Sequence, residues 1–138
     1  MSKPIPGTNP ATYRNDPSKD LLQIKTADVS PDRLTGGHVE IKVVGTLSET
    51  ISADSDAYVK VMLKYGLVRL VYDTRSLKDF MQQWGGSLPL EKGDVTLTLS
   101  KDLGQLPPGH YTAVAEAFTS DDRPIFGISV ETAIKPPQ

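Results

Sequence analysis

Between Tyr58 and Tyr72 the chain reads YVKVMLKYGLVRLVY, with Val59, Val61, Leu63 and Tyr65 at every second position and Lys60 and Lys64 between them. Successive side chains of an extended strand point to opposite faces, so this spacing gathers the apolar set on one face; a helix needs apolar residues three and four apart. Gly66 breaks the register, and Val68, Leu70 and Tyr72 resume it around Arg69. The shift predicts one long strand bent or bulged at the glycine. Its inner edge is then Val59, Val61, Leu63, Val68 and Leu70, all aliphatic.

The same two-residue period recurs along the chain. Leu21 to Val29 reads as a strand, and His38 to Thr46 sets Val39, Ile41 and Val43 against Glu40 and Lys42. Val95, Leu97 and Leu99 alternate with Thr96, Thr98 and Ser100, and Phe126, Ile128, Val130, Thr132 and Ile134 with Ser129 and Glu131. In His110 to Thr119 the charge of Glu116 marks the face it shares with Val114 and Phe118 as the wet one. Tyr111, Ala113, Ala115 and Ala117 then look inward, and three inward alanines leave space that a close-packed core fills with larger side chains. Turn residues at Ser30–Gly37, Pro89–Gly93, Asp102–Gly109 and Ser120–Arg123 separate the strands.

Only Ser76 to Trp84 has a helical period: Leu77, Phe80, Met81 and Trp84 stand at i, i+3, i+4 and i+7. Ser76 is placed to cap it, with Asp79 three positions on, and Gly85-Gly86 ends it. About two turns cannot persist alone in water. The helix must dock, either as a plug at one end of a sheet structure or as a lid over a pocket. With about seven strands and one short helix, the expected fold class is all-β, two antiparallel sheets packed face to face. The expected organisation is an extended arm over residues 1–20, rich in proline, then one domain over 21–134 and a short tail at 135–138.

Composition narrows the function. The 138 residues carry 15 Lys and Arg against 17 Asp and Glu, scattered without a basic run, which argues against nucleic acid. There is no cysteine, which excludes disulfides, thiolate catalysis and zinc–thiolate sites. The Met1 start lacks the apolar stretch of a signal peptide, so the expectation is a cytoplasmic protein. His38 and His110 each follow glycine at a strand start, Asp121 and Asp122 are adjacent and suit a turn, and no nucleophile elbow, HExxH or phosphate-cradling loop is present. No catalytic residue, metal site or cofactor is assigned.

Four segments together resemble the ML-domain lipid-recognition family, nearest its fungal phosphatidylglycerol/phosphatidylinositol transfer proteins and the Niemann-Pick type C sterol-transfer proteins. They are DLLQIKTADVSP (Asp20 to Pro31), AYVKVMLKYGLVRL (Ala57 to Leu70), LPLEKGDVTLT (Leu88 to Thr98) and LPPGHYTAVAEAFTSDD (Leu106 to Asp122). The resemblance implies an immunoglobulin-like sandwich splayed to admit one lipid, with its tails between the sheets and its head near the mouth. Carried over by position, the lining is Val59, Val61, Leu63, Val68, Leu70, Leu97, Leu99, Ala115, Ala117, Phe126, Ile128 and Val130, and the mouth or lid is Leu77, Phe80, Met81, Trp84 and Leu88. The family's usual paired cysteines, near Leu77 or Lys78, Leu88 and Gly127, are absent, which implies a reducing compartment.

The expectation is therefore a monomeric, non-enzymatic carrier of a phospholipid, sterol or fatty acid that touches membranes transiently. Each buried methylene is worth about 0.8 kcal/mol, so an apolar cavity binds a lipid without specific polar contacts. Of the basic residues Lys64, Arg69, Arg75, Lys78 and Lys92, some are placed to meet an anionic head group or membrane; solvated strand-edge charges are the alternative. The competing reading of the whole chain is an interaction module with a filled core that works through its loops.

Overall fold

The computed structural model describes residues 3–14, 16–30 and 36–134. Its elements in order are β1 (Ala11–Tyr13), β2 (Leu22–Ser30), β3 (Gly36–Leu47), β4 (Tyr58–Tyr65), β5 (Val68–Ser76), α1 (Leu77–Gln83), β6 (Gly93–Gln105), β7 (Gly109–Phe118) and β8 (Pro124–Ile134). They form a five-stranded sheet, β1-β8-β7-β4-β5, facing a three-stranded sheet, β2-β3-β6. Every ladder is antiparallel. The expected all-β sandwich with one short helix is thus observed. Most of the turn expected at Ser30–Gly37, and the tail at 135–138, lie outside the described residues.

The stretch expected to be one bent strand is two strands folded back on each other. Gly66 has a φ of 60° and with Leu67 makes a two-residue hairpin loop between β4 and β5. Only a residue without a Cβ enters that conformation at little cost. A bulge between Leu63 and Lys64 leaves Leu70 without a partner, and Val71 stands opposite Leu63. Strand β6 also outruns its expected end at Ser100, reaching Gln105.

Residues 3–20 hold β1 and a 3-10 turn at Pro17–Lys19. The arm doubles on itself, with Ile5 N donating to Ala11 O at 3.1 Å and Tyr13 N to Lys3 O at 2.8 Å. One limb, β1, pairs with β8; the other accepts from β2, through Ala27 N to Pro6 O at 2.9 Å and Val29 N to Thr8 O at 2.8 Å. At Gly7, whose φ is 112°, a Cβ would sit 2.3 Å from Ala27 O, so the limb lies against β2 only because it has no side chain there. The Tyr13 hydroxyl donates to Ile24 O at 2.9 Å. The arm thus binds both sheets along the edge where β8 and β2 meet.

The opposite edge, between β5 and β6, carries α1. Ser76 caps the helix as expected, its hydroxyl accepting from Asp79 N at 3.1 Å. Leu77 N donates to Ala57 O at 2.9 Å, and Ser100 N of β6 donates to Trp84 O at 2.8 Å. The helix is thereby fixed to both sheets.

Candidate functional site

One end of the sandwich is closed. Leu47, Ile51, Ala57, Val59, Leu77, Met81, Leu90, Val95, Ala117 and Ile125 are all buried there in a single cluster. At the other end Val39, Tyr111 and Ile134 are also buried, outside that cluster. Tyr65 and Tyr111 close this end, their rings 5.0 Å apart and their hydroxyls donating to Pro108 O at 2.5 Å and Pro107 O at 2.7 Å.

Between the two ends the inner faces are less buried. Val61 and Leu63 of β4, Ala113 and Ala115 of β7, Ile128 and Val130 of β8, Ile41 of β3, and Leu97 and Leu99 of β6 are all only half-buried. Within each sheet the registers pair them, Val61 with Ala115 and Leu63 with Ala113 in one and Ile41 with Leu99 in the other, where Leu97 stands opposite Val43, itself buried in the core. In a filled sandwich the middle of each inner face is its best-covered part. Here Ile41, Val61, Leu97, Leu99, Ala115, Ile128 and Val130 pack against the buried cluster while staying only partly buried themselves.

The sequence-assigned lining divides accordingly. Val61, Leu63, Leu97, Leu99, Ala115, Ile128 and Val130 are in this half-buried belt, joined by half-buried Phe126. Val59 and Ala117 are fully buried at the closed end. Val68 and Leu70 are not brought into the belt: they are 60% and 55% exposed on the β4–β5 hairpin, beside Leu67 at 99% and Tyr72 at 72%. Of the residues assigned to the mouth, Leu77 and Met81 are core anchors, Phe80 and Leu88 are half-buried and pack on its margin, and Trp84 is half-buried. Ile41 and Ala113 share this belt; the alternation grouped both with their strands' apolar faces, but the lining carried over from the resemblance left them out. Lys101 lies beyond the strand end expected at Ser100, because β6 continues past its apolar run.

The margin between β5 and β6 is polar. Arg75 donates from Nη1 to Gln83 Oε1 at 3.1 Å and from Nε to Asp73 Oδ2 at 3.3 Å. Lys101 holds its Nζ 5.7 Å from the centre of the Trp84 ring, within the range of a cation–π contact. Two other concavities have different characters. A groove of about 330 Å³ on the outer face of the larger sheet is lined by Arg14, Lys60, Met62, Tyr72, Thr74 and Glu116 among others, a mixed-charge surface unsuited to an acyl chain. A smaller one of about 150 Å³ lies among the closed-end loops, where Arg123 is already paired with Glu49 and Asp121.

The model of the ML domain matches residues 9–134. The chain is 45% identical over 123 residues to a phosphatidylglycerol/phosphatidylinositol transfer protein of Aspergillus oryzae, covering 88% of this chain and 69% of that protein. It is 38% identical over 124 residues to the protein of that name from Aspergillus fumigatus, covering 88% and 70%. Among solved structures it is similar to chicken MD-1 complexed with lipid IVa, at a TM-score of 0.58 and 19% identity over 92% of this chain and 90% of that one. It is also similar to a Niemann-Pick type C2 protein from Japanese carpenter ant, at a TM-score of 0.55 and 15% identity over 88% and 98%.

Proposed function

The chain belongs to the ML-domain family, and from that premise we propose that it holds one phospholipid between its two sheets and carries it, as a monomer, between membranes. The observation that carries this reading is the half-buried apolar belt between two buried ends. Its support in kinship is the likeness, at 45% identity, to a protein named for phosphatidylglycerol and phosphatidylinositol transfer. The acyl chains lie along Val61, Leu63, Ala113, Ala115, Ile128, Leu97 and Leu99, and the head stays at the β5–β6 margin, where side chains are polar. No bond is made or broken in this cycle. Transfer of apolar surface out of water drives uptake, and contact with a second bilayer allows release.

Membrane contact falls to the β4–β5 hairpin. Leu67, Val68, Leu70 and Tyr72 project from it, flanked by Lys64 and by Arg69, whose guanidinium lies 5.0 Å from the Tyr72 ring centre. Apolar side chains at a tip with cations behind them suit an anionic bilayer surface.

Native mass spectrometry of the protein after incubation with a mixed phospholipid extract tests the reading. A one-to-one lipid adduct is expected. A clean apo mass at every lipid concentration would sink it and return the function to the loops of a filled sandwich.

A further inference from the structure

We infer that Lys101 and Trp84 form the part of the β5–β6 margin that selects a phosphate-bearing, anionic lipid head. The inference rests on the lipid-carrier reading above and adds a specificity determinant to it. In the β3–β6 register Leu97, Leu99 and Lys101 stand opposite Val43, Ile41 and Val39, so Lys101 shares the inward face of the two leucines. It is the one cation in that run, placed where the apolar belt reaches the sheet edge. Its Nζ lies 5.7 Å from the centre of the Trp84 ring.

Lys101 has no carboxylate partner among the described residues. The next residue along, Asp102, is opposite His38 on the outward face, and its carboxylate accepts from Gly104 N at 2.8 Å. The end of α1 does not recruit the lysine either. Met81 O accepts from Gly86 N at 2.7 Å, Gln82 O from Gly85 N at 3.1 Å and Trp84 O from Ser100 N at 2.8 Å.

Arg75 provides the contrast. It approaches the same helix end from the other sheet, contacting Gln83 where Lys101 contacts Trp84, but it is neutralised by Asp73. Lys101 thus brings to the inward face of the margin a positive charge with no carboxylate partner among the described residues. The indole N–H of Trp84 likewise has no acceptor among the described residues, and no buried side-chain nitrogen or oxygen is left unpartnered, so that donor is open to a ligand. An ammonium and an N–H side by side above apolar walls match the oxygens of a phosphate whose acyl chains run inward. Neither a sterol hydroxyl nor a diacylglycerol gives the ammonium a counter-charge.

The test compares phosphatidylglycerol, diacylglycerol with the same acyl chains, and glycerol 3-phosphate, using wild type, Lys101→Gln, Lys101→Arg and Trp84→Phe. The single tryptophan is itself a fluorescent reporter of binding in all but the last, where native mass spectrometry serves. Lys101→Gln should lower phosphatidylglycerol affinity about tenfold, as loss of one charge-assisted hydrogen bond at a partly wet site does. Diacylglycerol affinity should not change, Lys101→Arg should restore phosphatidylglycerol binding, and Trp84→Phe should lower it about threefold. Equal loss for both lipids, or for neither, overturns the inference while leaving the carrier reading intact. Glycerol 3-phosphate binding as tightly as the intact phospholipid overturns it too, because the site would then be one for free phosphate. Failure of the wild type to bind either lipid removes the carrier reading and this inference together.

Discussion

Ala115 and Ala117 stand two places apart on one face of β7, yet Ala117 is fully buried and Ala115 half-buried. A larger side chain therefore meets different surroundings at each. At position 117 there is no free volume beside Val59 and Ile125, so Ala117→Leu forces its neighbours out of place and should cost about 1–3 kcal/mol. At position 115 the side chain opens onto the belt. Ala115→Leu should leave the melting temperature within about 2 °C of wild type while lowering lipid affinity several-fold, because on the proposed carrier reading the added methyls take the acyl chain's space. Thermal melts paired with lipid titration read both effects. Equal destabilisation by the two substitutions would mean that the sheets are in contact at their middle. These alanines were legible in the sequence because one charged neighbour, Glu116, oriented the whole strand. Leu70 was not, because a single bulged residue moves the inward position to Val71 without altering the composition of the stretch.

At the scale of elements, the sequence assigned the mouth or lid to the helix and Leu88, but the most exposed apolar side chains are on the β4–β5 hairpin. The helix is anchored through buried Leu77 and Met81 and bonded to both sheets, whereas the hairpin tip has Leu67 almost wholly in water. Leu67→Asp should therefore leave lipid stoichiometry unchanged but weaken flotation with anionic vesicles by about tenfold or more, since burying one leucine is worth roughly 2 kcal/mol. Unchanged flotation would move the docking face elsewhere. A glycine interrupting an alternating pattern predicts a bulge or a hairpin equally well, since both strands keep the same period; the choice depends on which neighbour each edge of β4 finds. Here β7 takes one edge and β5 the other. The far end of β6 was hidden for a related reason, because its inward position beyond Leu99 is a lysine. Prolines hid the arm's pairing. Pro6 has no N–H to donate, but its carbonyl is the group β2 uses.

For the molecule as a whole, the arm holds together the edge at which the sheets meet, and an ionisable group lies at its joint with the body. Asp20 follows the 3-10 turn, its N–H donating to Pro17 O at 3.1 Å, and Leu21 N donates to Pro124 O at 3.0 Å. Burial, reinforced by the negative charge of Asp16, raises the Asp20 carboxyl from 3.8 to about 6. The Tyr13 hydroxyl nearby is raised as well, by burial and then by the charge of Asp20. A carboxyl with a raised pKa is a better proton acceptor in the folded chain than in the unfolded one. Its favourable contribution is thus fully present below about pH 4, declines as pH rises through 6, and is absent at neutrality. Because solvent reaches much of the group, the difference is on the order of 1 kcal/mol. Asp20→Asn removes the titration while keeping the shape. The two proteins should melt together at pH 4, and the variant should melt about 4 °C higher at pH 7. The gap should open between pH 4 and 6. A constant gap from pH 4 to 7 would show that Asp20 ionises as freely in the folded protein as in the unfolded chain, and the joint between arm and body would then carry no charge penalty at neutral pH.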